Sequence, residues 1–171
     1  FAEPTRALVG EVSDATLNAF IAKYRRYYFT DEHTLALFEG ILPLLQQLKA
    51  QDKYLAVATG KSRAGLNQLL QANPEIAKLF DCTRTADETA SKPHPMMLHE
   101  LLGELNLSAE QAVMVGDTHY DIEMAQAAQM PNIAVSYGAH SSEDLQRAKP
   151  DALVHDVSQL AQCVLSTSVG I

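Results

Sequence analysis

Short apolar runs separated by stretches of helical periodicity constrain this chain more than any other feature. Tyr54–Ala58 (YLAVA), Ala112–Val115 (AVMV) and Ile133–Ser136 (IAVS) are each too short for a helix and predominantly apolar. Such runs are expected of strands buried on both faces. Cys82–Thr85 reads as a further strand and Ala152–Val154 as an edge strand. Between them lie predicted helices over 43–50, 62–71, 95–105, 122–129 and 142–148, with a last one from Val157. Asn73-Pro74 interrupts the second of these, and a shorter helical piece reaches Phe80. Strand and helix alternate at crossover lengths, which predicts an α/β fold with a doubly wound parallel sheet.

The N-terminal segment falls outside this alternation. Ser13 and Asp14 can cap a helix over 15–28, in which Leu17, Phe20, Ile21, Tyr24, Tyr27 and Tyr28 recur at helical spacing. Residues 1–38 are therefore expected to be a partial helical cap and 39–171 the α/β core domain. The cap tyrosines read as core, and Lys23, Arg25 and Arg26 as a solvated face.

Charge and cysteine usage narrow the functional classes. The net charge of −8 opposes nucleic acid or an anionic membrane as partner, because both require a basic surface. A small phosphate ester needs only local positive charge. Cys82 and Cys163 form no metal-ligand pattern and no disulfide framework, so a cytoplasmic setting is the expectation. No apolar run approaches the roughly 18 residues of a membrane span, and FAEPTRALVG lacks the pattern of a signal peptide. The oligomeric state is not legible.

In an open parallel sheet, ligands bind at the carboxyl ends of the strands. Three polar signals fall there. Thr59-Gly60-Lys61-Ser62 follows YLAVA, and a hydroxyl, a glycine and a new helix N-terminus suit an anion. A helix cap is the structural alternative. Ser91-Lys92-Pro93 holds a lysine on a loop, where solvation is the alternative. Gly116-Asp117-Thr118-His119-Tyr120-Asp121 follows AVMV. Its two carboxylates, four apart, can converge on one hard cation such as Mg²⁺. The alternative there is an N-cap with an acid in the first turn.

The three together, in this order, resemble the haloacid dehalogenase superfamily. VATGKS is similar to its second motif, ETASKPHP to its third and VMVGDTHYDIEMAQAA to its fourth. LFEGILPLLQQLKA resembles the segment that re-enters the core after a helical cap in the phosphoglycolate-phosphatase-like subgroup. The resemblance runs from about Gly10 to Val154. It implies a Mg²⁺-dependent phosphomonoester hydrolase working through an aspartyl-phosphate on a small phosphorylated metabolite. Thr59 and the Gly60 amide would bind the transferring phosphoryl group, and Lys92 would neutralise the nucleophile and the phosphate. Asp117 would hold Mg²⁺, and Asp121 would ligate it or orient its water shell. Phosphoryl transfer requires positioning and charge neutralisation above all.

This sequence departs from the family at one decisive place. The family begins with a strand ending in Asp-x-Asp, whose first aspartate is the nucleophile, and no Asp-x-Asp occurs in these 171 residues. The motif is expected upstream of Phe1. The resemblance would place its strand between Tyr54–Ala58 and Ala112–Val115, so those two strands are expected to flank a gap. A phosphomutase of the same superfamily, or an inactive fragment or binding module, are the alternatives. A dehalogenase fits less well, because that branch needs no metal. Gln129 stands where the family usually has glycine, with consequences expected only for a helix C-terminus. His94, His99, His119 and His140 read as structural or solvated.

Overall fold

The computed structural model describes residues 37–166. These fall in the second of two units, Leu37–Ile171. Apart from Leu37 and Phe38, the expected cap over 1–38 lies outside the described residues.

The order of elements is α1 (Ile41–Ala50), β1 (Ala56–Thr59), α2 (Arg63–Ala72), the single turn α3 (Pro74–Ala77), β2 (Cys82–Thr85) and α4 (Met96–Leu105). It continues through a 3₁₀ turn (Ala109–Gln111), β3 (Met114–Gly116), α5 (His119–Ala127), β4 (Asn132–Val135), α6 (Ser142–Arg147), β5 (Ala152–Val154) and α7 (Val157–Ser166). Every pairing among the described strands is parallel. Strand β1 runs beside β2 with Val57 opposite Thr83. Strand β4 lies between β3 and β5, with Val115 opposite Ile133 and Ala134 opposite Leu153.

Strand alternation distributes the helices over both faces. Ile133 and Val135 point to one side of β4, into a cluster with Leu44 of α1, Val154 and Leu160 of α7. Ala134 points to the other, against Ile122 of α5 and Leu145 of α6. Odd and even residues of a strand face opposite ways, so α1 and α7 cover one face and α5 and α6 the other. A further cluster joins Met97, Leu98 and Leu102 of α4 to Met124 and Ala125 of α5 and to Ala128 just past its end, with Ala58 and Met114 packed against it. This is the doubly wound α/β architecture anticipated from the alternation.

The strands divide into two hydrogen-bonded sets, β1–β2 and β3–β4–β5. β1 and β3 do not pair with each other, as expected of strands flanking a gap. Burial follows from this. Strand β4, paired on both edges, is buried at all four positions. Strands β1 and β3 were expected to be buried on both faces and are not. Ala56 is exposed on β1, and Val113 and Val115 keep 43% and 38% of their surface in water. Among the described residues each has a neighbouring strand on one side only. The alternative occupant of that space, a strand from Phe1 to Val12, lies outside the described residues.

Helix ends follow local chemistry. Ser62 begins α2 and accepts from the Gly65 N–H. Ser108 and Gln111 make a reciprocal cap on the 3₁₀ turn. Helix α5 starts three residues before the predicted Ile122, because Thr118 caps it. Gln129 takes the left-handed conformation at φ 56°, just past the end of α5. That is the position where glycine is at ease, so its effect is indeed confined to a helix terminus.

Candidate active site

Three loops converge at the carboxyl ends of β1, β2 and β3. The β1–α2 loop is shaped by Thr59, whose Oγ1 accepts from the Lys61 N–H at 3.2 Å. A Cβ added at Gly60 would meet nothing within 4 Å, so this turn borders open space. A partly exposed network ties the loop to the end of β2. The Arg63 guanidinium donates to both carboxylate oxygens of Glu88 at 2.8 and 2.5 Å, and to the Thr83 hydroxyl at 2.8 Å. The fully buried Thr85 hydroxyl lies 2.6 Å from Asp87 and 2.9 Å from Glu88. Arg63 and Thr85 hold the Glu88 carboxyl down at about 2.

Lys92 leaves the β2–α4 loop and crosses the space between the two strand sets. Its ammonium donates to the Ala58 carbonyl on β1 at 3.0 Å and to Oδ1 of Asp121 at the start of α5 at 2.6 Å. An ammonium has three donors, so these contacts leave one for a further acceptor. Lys92 and Asp121 side chains are 18% and 5% exposed, which makes this a largely desolvated ion pair.

Asp121 divides its carboxylate between two tasks. Oδ1 takes Lys92, while Oδ2 accepts from the Thr118 N–H at 3.1 Å and the Thr118 hydroxyl at 2.8 Å. The helix cap weighed from sequence against a metal ligand is present, and the same carboxylate also anchors Lys92. Its lone pairs are thereby directed at lysine and helix cap, the geometry of a positioning residue for Lys92.

Asp117 lies at the C-terminal end of β3 and is braced from the β4–α6 loop. Its Oδ2 accepts from the Ala139 N–H at 2.9 Å, and its backbone carbonyl from the His140 N–H at 3.1 Å. Two glycines make room for the two acids. A Cβ at Gly116 would sit 2.7 Å from the Asp121 carboxyl carbon, and one at Gly138 would sit 2.8 Å from that of Asp117. Both separations are closer than side chains tolerate.

The structure therefore joins Lys92 directly to Asp121 and, through Ala58, to the residue preceding Thr59. Asp117 opens the turn that Asp121 completes, with its own contacts on the β4–α6 side. Sequence reasoning missed the Arg63–Asp87–Glu88 brace, the Ala58 carbonyl and Gly138. A glycine after an apolar strand, in Tyr137-Gly138-Ala139, was the one available signal for Gly138. Among the described residues no three His, Cys, Asp or Glu side chains form a ready metal cluster. A magnesium site commonly uses one or two carboxylates with substrate oxygens and water, and Asp117 supplies a hard donor of that kind.

The haloacid dehalogenase-like hydrolase family matches residues 2–135. The chain belongs to that family. A relative described as probable phosphatase IndB, from Dickeya dadantii (strain 3937), is 34% identical over 153 residues. That match covers 87% of this chain and 66% of the relative, so the chain spans about two thirds of that protein. The pyrophosphatase PpaX of Bacillus thuringiensis (strain Al Hakam) is 29% identical over 152 residues, covering 88% of this chain and 70% of the relative. The crystal structure of a predicted phosphatase from Clostridium acetobutylicum superposes with a TM-score of 0.84 at 27% identity. It covers 97% of this chain and 77% of the other. Among the described residues no helix is long and apolar enough to cross a membrane.

Proposed function

We propose that this chain carries the phosphate-binding and charge-neutralising part of a Mg²⁺-dependent phosphomonoester hydrolase. The observation that carries the reading is the position of the Lys92 ammonium, held between the Ala58 carbonyl and Asp121. The end of β1 and the start of α5 are brought to one cation, at the edge where parallel sheets bind ligands. In this reading Thr59 and the Gly60 amide hold the phosphoryl oxygens, and the remaining Lys92 donor neutralises charge developing on them. Asp121 keeps Lys92 in place, and Asp117 holds Mg²⁺. When bound, the ion supplies Lewis-acid neutralisation of the phosphate oxygens. The nucleophile is an aspartate presented between β1 and β3 by a strand carrying Asp-x-Asp, forming an aspartyl-phosphate that water then hydrolyses.

The substrate is a small phosphate ester, and the similarity to PpaX supports a phosphoanhydride beside the monoester. Relatives described as phosphatases favour hydrolysis over mutase chemistry. The cytoplasm is the proposed setting, on the cysteine usage.

The test is phosphate release from an aryl phosphate with Mg²⁺. The 171-residue chain should show none. A version extended at its N-terminus by an apolar strand ending in Asp-x-Asp should turn over, and Lys92→Ala in it should lose at least a hundredfold. Turnover by the 171 residues that disappears in Asp117→Asn refutes the assignment of the nucleophile. An extended chain indifferent to Lys92→Ala refutes the site.

A further inference from the structure

Two polar rings at this edge have no part in that reading. His119 opens α5, and His140 lies on the β4–α6 loop. Their Nδ1 atoms stand 3.1 Å apart. The ring centroids are 4.9 Å apart and the planes inclined by 32°. The tautomers follow from one backbone contact. The His119 N–H donates to His140 Nδ1 at 3.3 Å. A ring nitrogen that accepts carries no proton, so His140 bears its proton on Nε2 and His119 donates from Nδ1. The Nδ1–H of His119 therefore faces the single lone pair of His140 Nδ1, which the His119 backbone N–H also shares. The Tyr120 ring packs on His119 at 3.9 Å, and the Asp117 carbonyl fixes the His140 amide, so both rings are held from behind.

This spacing is a metal bite. Two nitrogens bound to one ion at about 2.0–2.1 Å lie about 2.9 Å apart at a right angle and about 3.3 Å apart at the tetrahedral angle. The observed 3.1 Å falls between them. We propose that His119 and His140 bind a divalent transition-metal ion of the zinc, nickel or copper class, which replaces the proton between them. The His119 proton moves through solvent from Nδ1 to Nε2, both rings stay neutral, and no net proton is released. The weak His119 N–H contact to His140 is exchanged for the second metal bond. Imidazole selects these ions over Mg²⁺, which prefers oxygen. Among the described residues no third ligating side chain joins the pair, so water completes the shell and the ion exchanges readily. A bound ion clips the start of α5 to the β4–α6 loop on either side of Asp117. The proposal stands on the two rings and does not depend on the phosphatase reading.

Titration of the 171-residue chain, free of any histidine tag, with Ni²⁺ and Zn²⁺ at one buffered pH tests it by calorimetry. One ion per chain is expected. His119→Gln and His140→Gln should each weaken binding at least tenfold, and His155→Gln should leave it unchanged. Circular dichroism melts establish that the variants fold. With Cu²⁺ on the unaltered chain, paramagnetic resonance should show two coordinated nitrogens, a measurement that needs no variant. Loss below tenfold in either variant, an equal loss in His155→Gln, fewer than two nitrogens, or displacement of Ni²⁺ by equimolar Mg²⁺ overturns the proposal.

Discussion

Replacing Asp121 by Asn separates its two tasks. The amide keeps the volume and can still accept from Thr118, but it removes the negative charge facing Lys92. The Lys92–Asp121 contact is 2.6 Å long with side chains 18% and 5% exposed, so solvent cannot take over the abandoned ammonium without rearrangement. Removing one partner of a buried pair costs about 3–5 kcal/mol. Lys92 keeps its bond to Ala58 and retains some access to water, which places the expected loss near the lower figure, about 3 kcal/mol. Against a typical domain stability of roughly 5–15 kcal/mol, that is a large fraction. Lys92→Met should cost less, because the stranded Asp121 carboxylate still accepts two hydrogen bonds from Thr118. The double variant should be more stable than the sum of the singles implies, with a coupling of about 1–3 kcal/mol. Urea unfolding followed by circular dichroism measures all four proteins, since the chain has no Trp. A loss under about 0.5 kcal/mol in Asp121→Asn, or strict additivity across the cycle, would refute the view that these residues form one desolvated pair.

Other consequences can be measured on the same protein. Gly138→Ala forces Asp117 off its position and should cost about 1–3 kcal/mol in urea unfolding. Gln129→Gly should instead stabilise by about 0.5–1 kcal/mol, because it relieves a left-handed non-glycine residue. Glu88 is held at about 2 against its ordinary 4.5, so its contribution to stability is complete above pH 4.5 and erodes as pH falls toward 2. Arg63→Gln should remove the main cause and flatten the slope of stability against pH in that interval, as read by acid titration of the circular dichroism signal. Ile133→Ala on the doubly paired β4 should cost about 2–5 kcal/mol. Val115→Ala on the half-open β3 should cost under about 1 kcal/mol, and an equal cost at the two positions would mean that β3 is covered after all.

Local pattern was enough for the elements themselves. Three short apolar runs and two further extended segments between helical stretches located five strands, because the period of side-chain burial is written into adjacent residues. Cys82–Thr85 and Ala152–Val154 agree with their expected bounds. The order Thr59, Lys92, Asp117, Asp121 likewise pointed to one sheet edge, since strand polarity in a parallel sheet follows from connection length alone. Burial was a different matter. YLAVA, AVMV and IAVS are all predominantly apolar, yet β4 is buried and β1 and β3 are half open. Exposure depends on which strands lie alongside, and no run records its neighbours. The role of Asp121 also waited for the fold. Spacing brought two acids to one turn, but only tertiary packing delivered the Lys92 ammonium from 29 residues away and assigned one oxygen to it and the other to the helix cap. The same holds for Gly138 beside Asp117, and for His119 beside His140 across 21 positions. Sequence determines what each residue can donate, accept or bury. Which partner it meets is decided by contacts between distant segments, whose geometry exists only once the core has packed.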